Sequence, residues 1–183
     1  ADGKYVASGG SMPQHCVVIW SRAGKSLLRY PNRSFITCLS YNPRNGTLLS
    51  GTEFNFGVYS MGRKNVIKYS VDSKLVCFSW NSRGNLLALG HENGEISIRD
   101  AMAKDSKSGE CAYKILDHTK RSKSIVALSW HPSEDHLAVG SLDNCISFYK
   151  FKAQLSFSPC NGQSNAKITK SNFRKLTVGR PEE

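Results

Sequence analysis

The sequence predicts an all-β fold built from copies of one antiparallel unit, and three observations predict it. First, three segments align on a shared aromatic residue: "ITCLSYNPRNGTLLSG" from Ile36, "LVCFSWNSRGNLLALG" from Leu75 and "IVALSWHPSEDHLAVG" from Ile125. Each runs from an apolar stretch into Ser40-Tyr41, Ser79-Trp80 or Ser129-Trp130, then a turn, then apolar residues closing on Gly51, Gly90 or Gly140. Second, two landmarks move together. The aromatic steps from 41 to 80 to 130 while the glycine steps from 51 to 90 to 140, so the copies share a register. Third, none of these units sustains a helical period, and each is punctuated by turn residues at short intervals.

The elements follow in order. The first full unit predicts strands near 36–41, 47–51 and 56–60, with the turn "NPRNG" after the aromatic. The second predicts 75–80, 86–90 and 96–99, with "NSRGN" in the turn, and the third 125–130, 136–140 and 145–150, with "HPSED". Pro43 and Pro132 suit turn positions because their φ is fixed, and Gly46 and Gly84 can supply φ > 0 there. The start of the chain adds a partial copy, "YVASGG" followed by "VVIW" ending at Trp20. The longer step between the second and third units comes from an insertion, "AMAKDSKSGECAYKILDH", whose polar middle reads as an extended loop. Trp80 and Trp130 end strands at the same repeat position, so both are expected to be largely buried.

Units of about 40–45 residues with four strands each are the signature of a propeller. "LLSG", "LALG" and "LAVG", Asn93 and Asp143 in the following turn, and the aromatic or Asp ending of the next strand resemble the WD-repeat family. The fold expected is therefore a partial WD-repeat β-propeller of about 3.5 blades. Residues 1–150 form the propeller segment, and 151–183 a basic tail. Such rings close with about 4–8 blades, so this chain is expected to be part of a larger ring. Departures accompany the resemblance. The usual Gly-His pair is absent, with Asp117-His118 the nearest approach, and Arg99 or Tyr149 stands where Trp is usual. The hydrogen-bond network between strands is accordingly expected to be incomplete, leaving more to apolar packing.

Composition narrows the function classes. The six cysteines, at 16, 38, 77, 111, 145 and 160, form no C-x-x-C pair, and the five histidines show no metal spacing. Cys38, Cys77 and Ala127 share one repeat position, as small buried strand residues do. No apolar run approaches the roughly 20 residues of a membrane span, and no signal pattern opens the chain, which reads as entered in its middle. The sequons at Asn32 and Asn45 are read as chance, and the cysteine usage as that of a reduced, intracellular protein. "RAGKS" at Arg22 lacks the glycine a phosphate loop needs, because Ile19 stands in its place. The polar run from Ser129 to Tyr149 recurs in degenerate form in the other units. His131 and Asp143 are therefore read as scaffold, with no catalytic residues, no cofactor and no metal.

The net charge is +11, of which residues 1–71 supply +7. Arg22, Lys25, Arg29, Arg33, Arg44, Arg63, Lys64 and Lys68 form the candidate basic interaction surface, suited to an acidic protein. Nucleic acid is the disfavoured partner, because Tyr41, Tyr59 and Trp80 occupy core positions instead of alternating with the basic residues. A closer resemblance rests on "CLSYNP", "FNFGVYS", "SKLVCFSWNSRGNLLALG", "NGEISIRD" and "LSWHPSEDHLAVG". Over about residues 4 to 149 the chain is similar to the first propeller of a WD-repeat subunit of intraflagellar transport complex A. That resemblance implies a non-catalytic scaffold in ciliary retrograde transport and cilium assembly, other complex A subunits as partners, and a location in the cytoplasm and at the cilium or flagellum and its base. The alternatives are a WD-repeat scaffold of a vesicle coat or signalling assembly, or a basic propeller that binds nucleic acid.

Overall fold

Each repeat folds as its own antiparallel sheet. The computed structural model describes residues 3–10, 16–60, 66–102, 113–133, 135–160 and 163–176, with 114–118, 120, 152–160 and 163–176 described by backbone alone. The first sheet holds β1 (Tyr5–Gly9), β2 (Cys16–Ser21) and β3 (Ser26–Pro31). The second holds β4 (Cys38–Tyr41), β5 (Leu48–Gly51), β6 (Asn55–Tyr59) and β7 (Ile67–Ser70). The third holds β8 (Leu75–Trp80), β9 (Leu86–His91), β10 (Glu95–Asp100) and β11 (Lys114–Lys120). The fourth holds β12 (Ile125–Trp130), β13 (His136–Ser141), β14 (Cys145–Cys160) and β15 (Gln163–Leu176). Among the described residues, three four-stranded sheets and one three-stranded sheet make a partial β-propeller, and none of these residues is helical.

The strands expected from the repeats lie within two residues of those observed, except that β14 runs on to Cys160. The outermost strands β3, β7, β11 and β15 are not among those expectations. β11 occupies the end of the insertion read as a loop; residues 103–112 of that insertion lie outside the described residues. β15 pairs back along β14, from Cys160↔Gln163 to Phe148↔Leu176, and so supplies the fourth strand of the last sheet.

The core is a set of layers between neighbouring sheets. Val17, Ile19, Tyr30, Leu48 and Tyr59 fill the gap between the first and second sheets. Leu49, Phe56, Leu75, Phe78, Trp80, Leu87, Leu89 and Tyr113 fill the next. Leu86, Ala88, Ile96, Ile98, Ile125, Trp130, Leu137, Val139, Tyr149 and Phe151 fill the third. The period of two along a strand produces this division. In β9, Leu87 and Leu89 face the second sheet while Leu86 and Ala88 face the fourth, so the whole strand is buried. A strand covered on both faces reads as the unbroken apolar run "LLALG". Each fully buried Leu contributes about 1.5–3 kcal/mol relative to exposure.

Three of the repeat glycines, Gly9, Gly51 and Gly90, stand where the chain of the next repeat approaches closely. A Cβ at Gly51 would overlap Cys38 Sγ on the paired strand and lie 3.1 Å from Leu75 Cδ2 on the next sheet. At Gly90 it would lie 2.9 Å from Cys77 Sγ and 2.6 Å from Ile125 Cγ2. At Gly9 its three nearest atoms belong to Ile36, the closest at 2.6 Å. At Gly140 it would meet only Ala127 and Val126, at 3.7 and 3.8 Å. The turn glycines serve the backbone instead. Gly46 and Gly84 sit at φ 68° and 66°, as the turn reading requires.

These contacts also orient the strands. The innermost strands β4, β8 and β12 begin at one rim and end at the other. Asn42, just past β4, donates from Nδ2 to the Gly84 carbonyl just past β8, at 2.9 Å. Asn81, one repeat on, reaches Asp135 Oδ1 at 3.4 Å. The turns at 22–25, 42–47, 81–85 and 131–135 therefore share an upper rim. The connections at 32–37, 52–54, 71–74, 92–94, 121–124 and 142–144 share a lower rim.

Candidate functional site

The side chains most suggestive of chemistry are engaged in holding sheets together. In the fourth sheet Asp143 Oδ1 accepts from the Ser141 hydroxyl and from the Cys145 amide at 3.1 Å. Its Oδ2 accepts from Arg121 Nη2 at 2.6 Å, and Arg121 Nη1 donates to Ser147 Oγ. The Ser141 hydroxyl and the Arg121 guanidinium together pull the Asp143 carboxyl from its ordinary 3.8 to about 2. The network expected to be incomplete is thus closed in this sheet, through an arginine contributed by the loop before β12. In the third sheet His91 Nδ1 lies 3.0 Å from the Ser73 carbonyl and Nε2 lies 3.3 Å from Ser97 Oγ. Nδ1 must carry the proton to serve a carbonyl, so a neutral imidazole accepts at Nε2 from the Ser97 hydroxyl. Burial lowers the His91 pKa and favours that neutral form. In the second sheet Tyr59 Oη bonds Ser50 Oγ at 2.9 Å and accepts from Asn32 Nδ2 at 3.3 Å.

Arg99, in the position where the family has Trp, keeps its guanidinium 5.6 Å from the Phe56 ring centroid and donates to the Tyr113 carbonyl at 3.4 Å. Tyr149, its counterpart one sheet later, is buried in the third core layer. Trp80 and Trp130 are 8% and 7% exposed, as their shared position requires. Cys38 and Cys77 are half-buried against the core layers, and desolvation pushes the Cys38 thiol up to about 11 and the Cys77 thiol up to about 12, which disfavours their reactive thiolate forms. His131, on the upper rim, is exposed and bonded through Nδ1 to Ser133. Among the described residues no three His, Cys, Asp or Glu converge to hold a metal, and no helix is long and apolar enough to cross a membrane.

The basic residues read from the sequence fall in three places. Arg22 and Lys25, in the β2–β3 turn, and Arg44, in the β4–β5 turn, are exposed on the upper rim. Arg33 is exposed on the lower rim, and Arg29 and Lys68 lie on the outermost strands β3 and β7, Lys68 donating to Asn32 Oδ1 at 3.1 Å. Arg63 and Lys64 lie outside the described residues. The structure adds Arg83, which occupies the same turn position as Arg44 and lies 3.6 Å from Asp135. That signal is readable in "NPRNG" and "NSRGN". Below, Lys74 sits 3.4 Å from Glu53 and 3.9 Å from Glu92, and Arg121 pairs Asp143. Above, Arg22, Lys25, Arg44 and Arg83 are exposed, Arg83 lying 3.6 Å from Asp135. Tyr59 and Trp80 are buried, and Tyr41 is half-buried, so none of them alternates with these cations.

Similarities to known proteins fit this geometry. Residues 109–150 match the model of the WD domain, G-beta repeat. The chain is 35% identical over 170 residues to the intraflagellar transport protein 122 homolog of Danio rerio, and 36% identical over 170 residues to that of Mus musculus. Each alignment covers 87% of this chain and 14% of the relative, so the chain spans about one seventh of those proteins. The crystal structure of the Cps50 (Swd1) β-propeller domain of Myceliophteria thermophila superposes with a TM-score of 0.64 at 18% identity. It covers 81% of this chain and 49% of that domain, a likeness of fold alone. Repeated sheets, layered cores and sequence similarity together make this chain a partial β-propeller of the WD-repeat family, similar to a stretch of the intraflagellar transport protein 122 homologs.

Proposed function

We propose that this chain is a non-catalytic interaction segment of an intraflagellar transport complex A subunit, acting in ciliary retrograde transport and cilium assembly. The protein would work in the cytoplasm and at the cilium or flagellum and its base. The observation that carries this reading is the 35% identity to an intraflagellar transport protein 122 homolog over 170 residues. The engagement of Asp143, His91 and Tyr59 in structural hydrogen bonds supports a scaffold, since no free acid, base and nucleophile converge among the described residues. Other complex A subunits are the partners, and the upper rim is where an acidic surface would dock, on Arg22, Lys25, Arg44 and Arg83. Rim charges of this kind govern encounter rate and partner choice more than affinity.

The test is a triple reversal, Arg22→Glu, Lys25→Glu and Arg44→Glu, in the full-length protein in ciliated cells. All three side chains are exposed, so folding should be unaffected. Co-purification of complex A subunits should fall about tenfold and retrograde transport should slow. Full association after the reversal would remove the rim from the proposal. Failure of the unmodified protein to co-purify with any complex A subunit would overturn the transport assignment itself.

A further inference from the structure

Two of the upper-rim cations are held in a fixed relation to each other. Arg44 and Arg83 occupy the third position of "NPRNG" and "NSRGN" in successive repeats. Asn42, only 2% exposed, fixes the first turn, its Oδ1 accepting from the Arg44 amide at 2.8 Å. Its Nδ2 donates to the Gly84 carbonyl at 2.9 Å, so one buried side chain ties the turn of Arg44 to the turn of Arg83. Gly84 permits the approach. A Cβ there would lie 2.7 Å from Arg44 Cβ and 3.0 Å from the Arg44 amide nitrogen. The residue next to Arg83 therefore rests on the backbone of Arg44. Asn81, 1% exposed, fixes the second turn, accepting from the Asn85 amide at 3.1 Å and the Leu86 amide at 3.0 Å.

The two guanidinium groups are lightly engaged. Arg44 Nη1 meets Met102 Sδ, a weak acceptor, at 3.7 Å. Arg83 Nη2 lies 3.6 Å from Asp135 Oδ2, beyond hydrogen-bond reach, and its side chain is 67% exposed. Two like charges thus stand on adjoining turns with most of their donors turned to solvent. A carboxylate carries one charge on two oxygens, and one arginine fork satisfies it. A phosphomonoester carries about −1.5 to −2 charge on three terminal oxygens, enough for two forks at once.

We infer that Arg44 and Arg83 together bind a phosphorylated serine or threonine of a partner protein. The inference rests on the reading of the upper rim as a docking surface for an acidic partner, and it names the acidic group. Asp135 selects against a membrane, because a continuous anionic surface laid on Arg83 would also be pressed against this carboxylate. The paired turns supply what a single surface arginine lacks, a second fork at a set position.

The experiment titrates the whole 183-residue chain into a short peptide with one phosphoserine among alanines, followed by phosphorus NMR. Saturable binding is expected, with the second phosphate pKa drawn below its ordinary value of about 6, because two guanidiniums favour the dianion. Inorganic phosphate should compete. A peptide with two adjacent glutamates in place of the phosphoserine should bind about tenfold more weakly. Arg44→Lys and Arg83→Lys keep the charge and lose the fork, and each should weaken phosphopeptide binding about tenfold. Arg22→Lys, in the β2–β3 turn, should leave it unchanged. Absence of phosphopeptide binding, unchanged binding in both lysine variants, or binding only to phosphatidylcholine vesicles with roughly one phosphoinositide in ten lipids would each overturn the inference. Equal binding of the glutamate peptide would overturn it too, yet leave the rim standing as a dock for acidic protein. That peptide leaves the protein unaltered and decides the matter if a lysine variant fails to fold. Loss of complex A co-purification in cells would remove the transport assignment and leave the phosphopeptide result as it is, so the two readings fail separately.

Discussion

Gly90→Ala and Gly140→Ala are the same chemical change at the same repeat position, and they should have opposite consequences. Neither glycine has a positive φ, so backbone strain is not at issue. In an extended strand the substitution by itself favours folding by about 0.4–1 kcal/mol, because alanine has fewer unfolded conformations to lose. At Gly140 the added methyl would meet Ala127 and Val126 at ordinary contact distance, 3.7 and 3.8 Å. Its net effect should lie between zero and that gain. At Gly90 the methyl would lie 2.6 Å from Ile125 Cγ2 and 2.9 Å from Cys77 Sγ. Ile125 is fully buried between the third and fourth sheets and cannot swing aside. Overpacking of this kind costs about 1–3 kcal/mol, which outweighs the entropic gain. Urea unfolding followed by tryptophan fluorescence is the assay. With a slope of about 2 kcal/mol/M, Gly90→Ala should lower the midpoint by roughly 0.5 M, while Gly140→Ala should leave it unchanged or raise it slightly. Equal shifts for the two variants would show that the sheets do not approach at Gly90 as described.

Trp130→Ala should destabilise the chain by about 3–5 kcal/mol, the range for a large core aromatic. Trp130→Phe should cost about 1 kcal/mol, from the bond that Nε1 donates to the Ser79 carbonyl at 3.1 Å; if both variants unfold at the wild-type midpoint, the register of β12 is wrong. The depressed Asp143 carboxyl makes a signed pH prediction. Its folded value, about 2, lies below its ordinary 3.8, so its stabilisation is present above about pH 4 and lost as pH falls through 2. The difference in urea midpoint between wild type and Asp143→Asn should shrink across that window, and a constant difference would refute the Arg121–Asp143 link. Finally, an alkylating reagent at pH 7.5 should label exposed Cys145 at least tenfold faster than Cys38 and Cys77, whose thiols burial pushes up to about 11 and 12. Peptide mapping that finds all three labelled at one rate would contradict the layered core.

The inner strands are legible in the sequence because their burial leaves a regular mark. β8 and β9 are flanked by neighbouring sheets and β12 packs its inner face on the third sheet, so apolar runs, a terminal aromatic and a closing glycine recur in step. The outermost strands carry no such mark. β7 is "IKYS" and β3 is "SLLRYP", each facing water on part of its surface, and such segments read like the loops around them. Arg121 escapes a sequence reading for a different reason. Its role depends on a loop meeting the β13–β14 turn in space, and the residue with the equivalent role in the third sheet is His91, of another type at another repeat position. The basic residues illustrate the same limit. Arg22 and Arg33 are close in sequence, yet one strand reversal sends them to opposite rims. Arg44 and Arg83, far apart in sequence, share a rim because they share a place in the repeat.

The bonds from Asn42 to Gly84, Asn81 to Asp135 and Trp130 to Ser79 each join a sheet only to its neighbour. Among the described residues, such bonds store the cohesion of the array in a series of junctions, as a zipper does. Opening should therefore travel as a front. A lesion at one junction should detach what lies beyond it and leave the sheets on its other side folded, so that damage is partitioned along the chain and not shared by all of it.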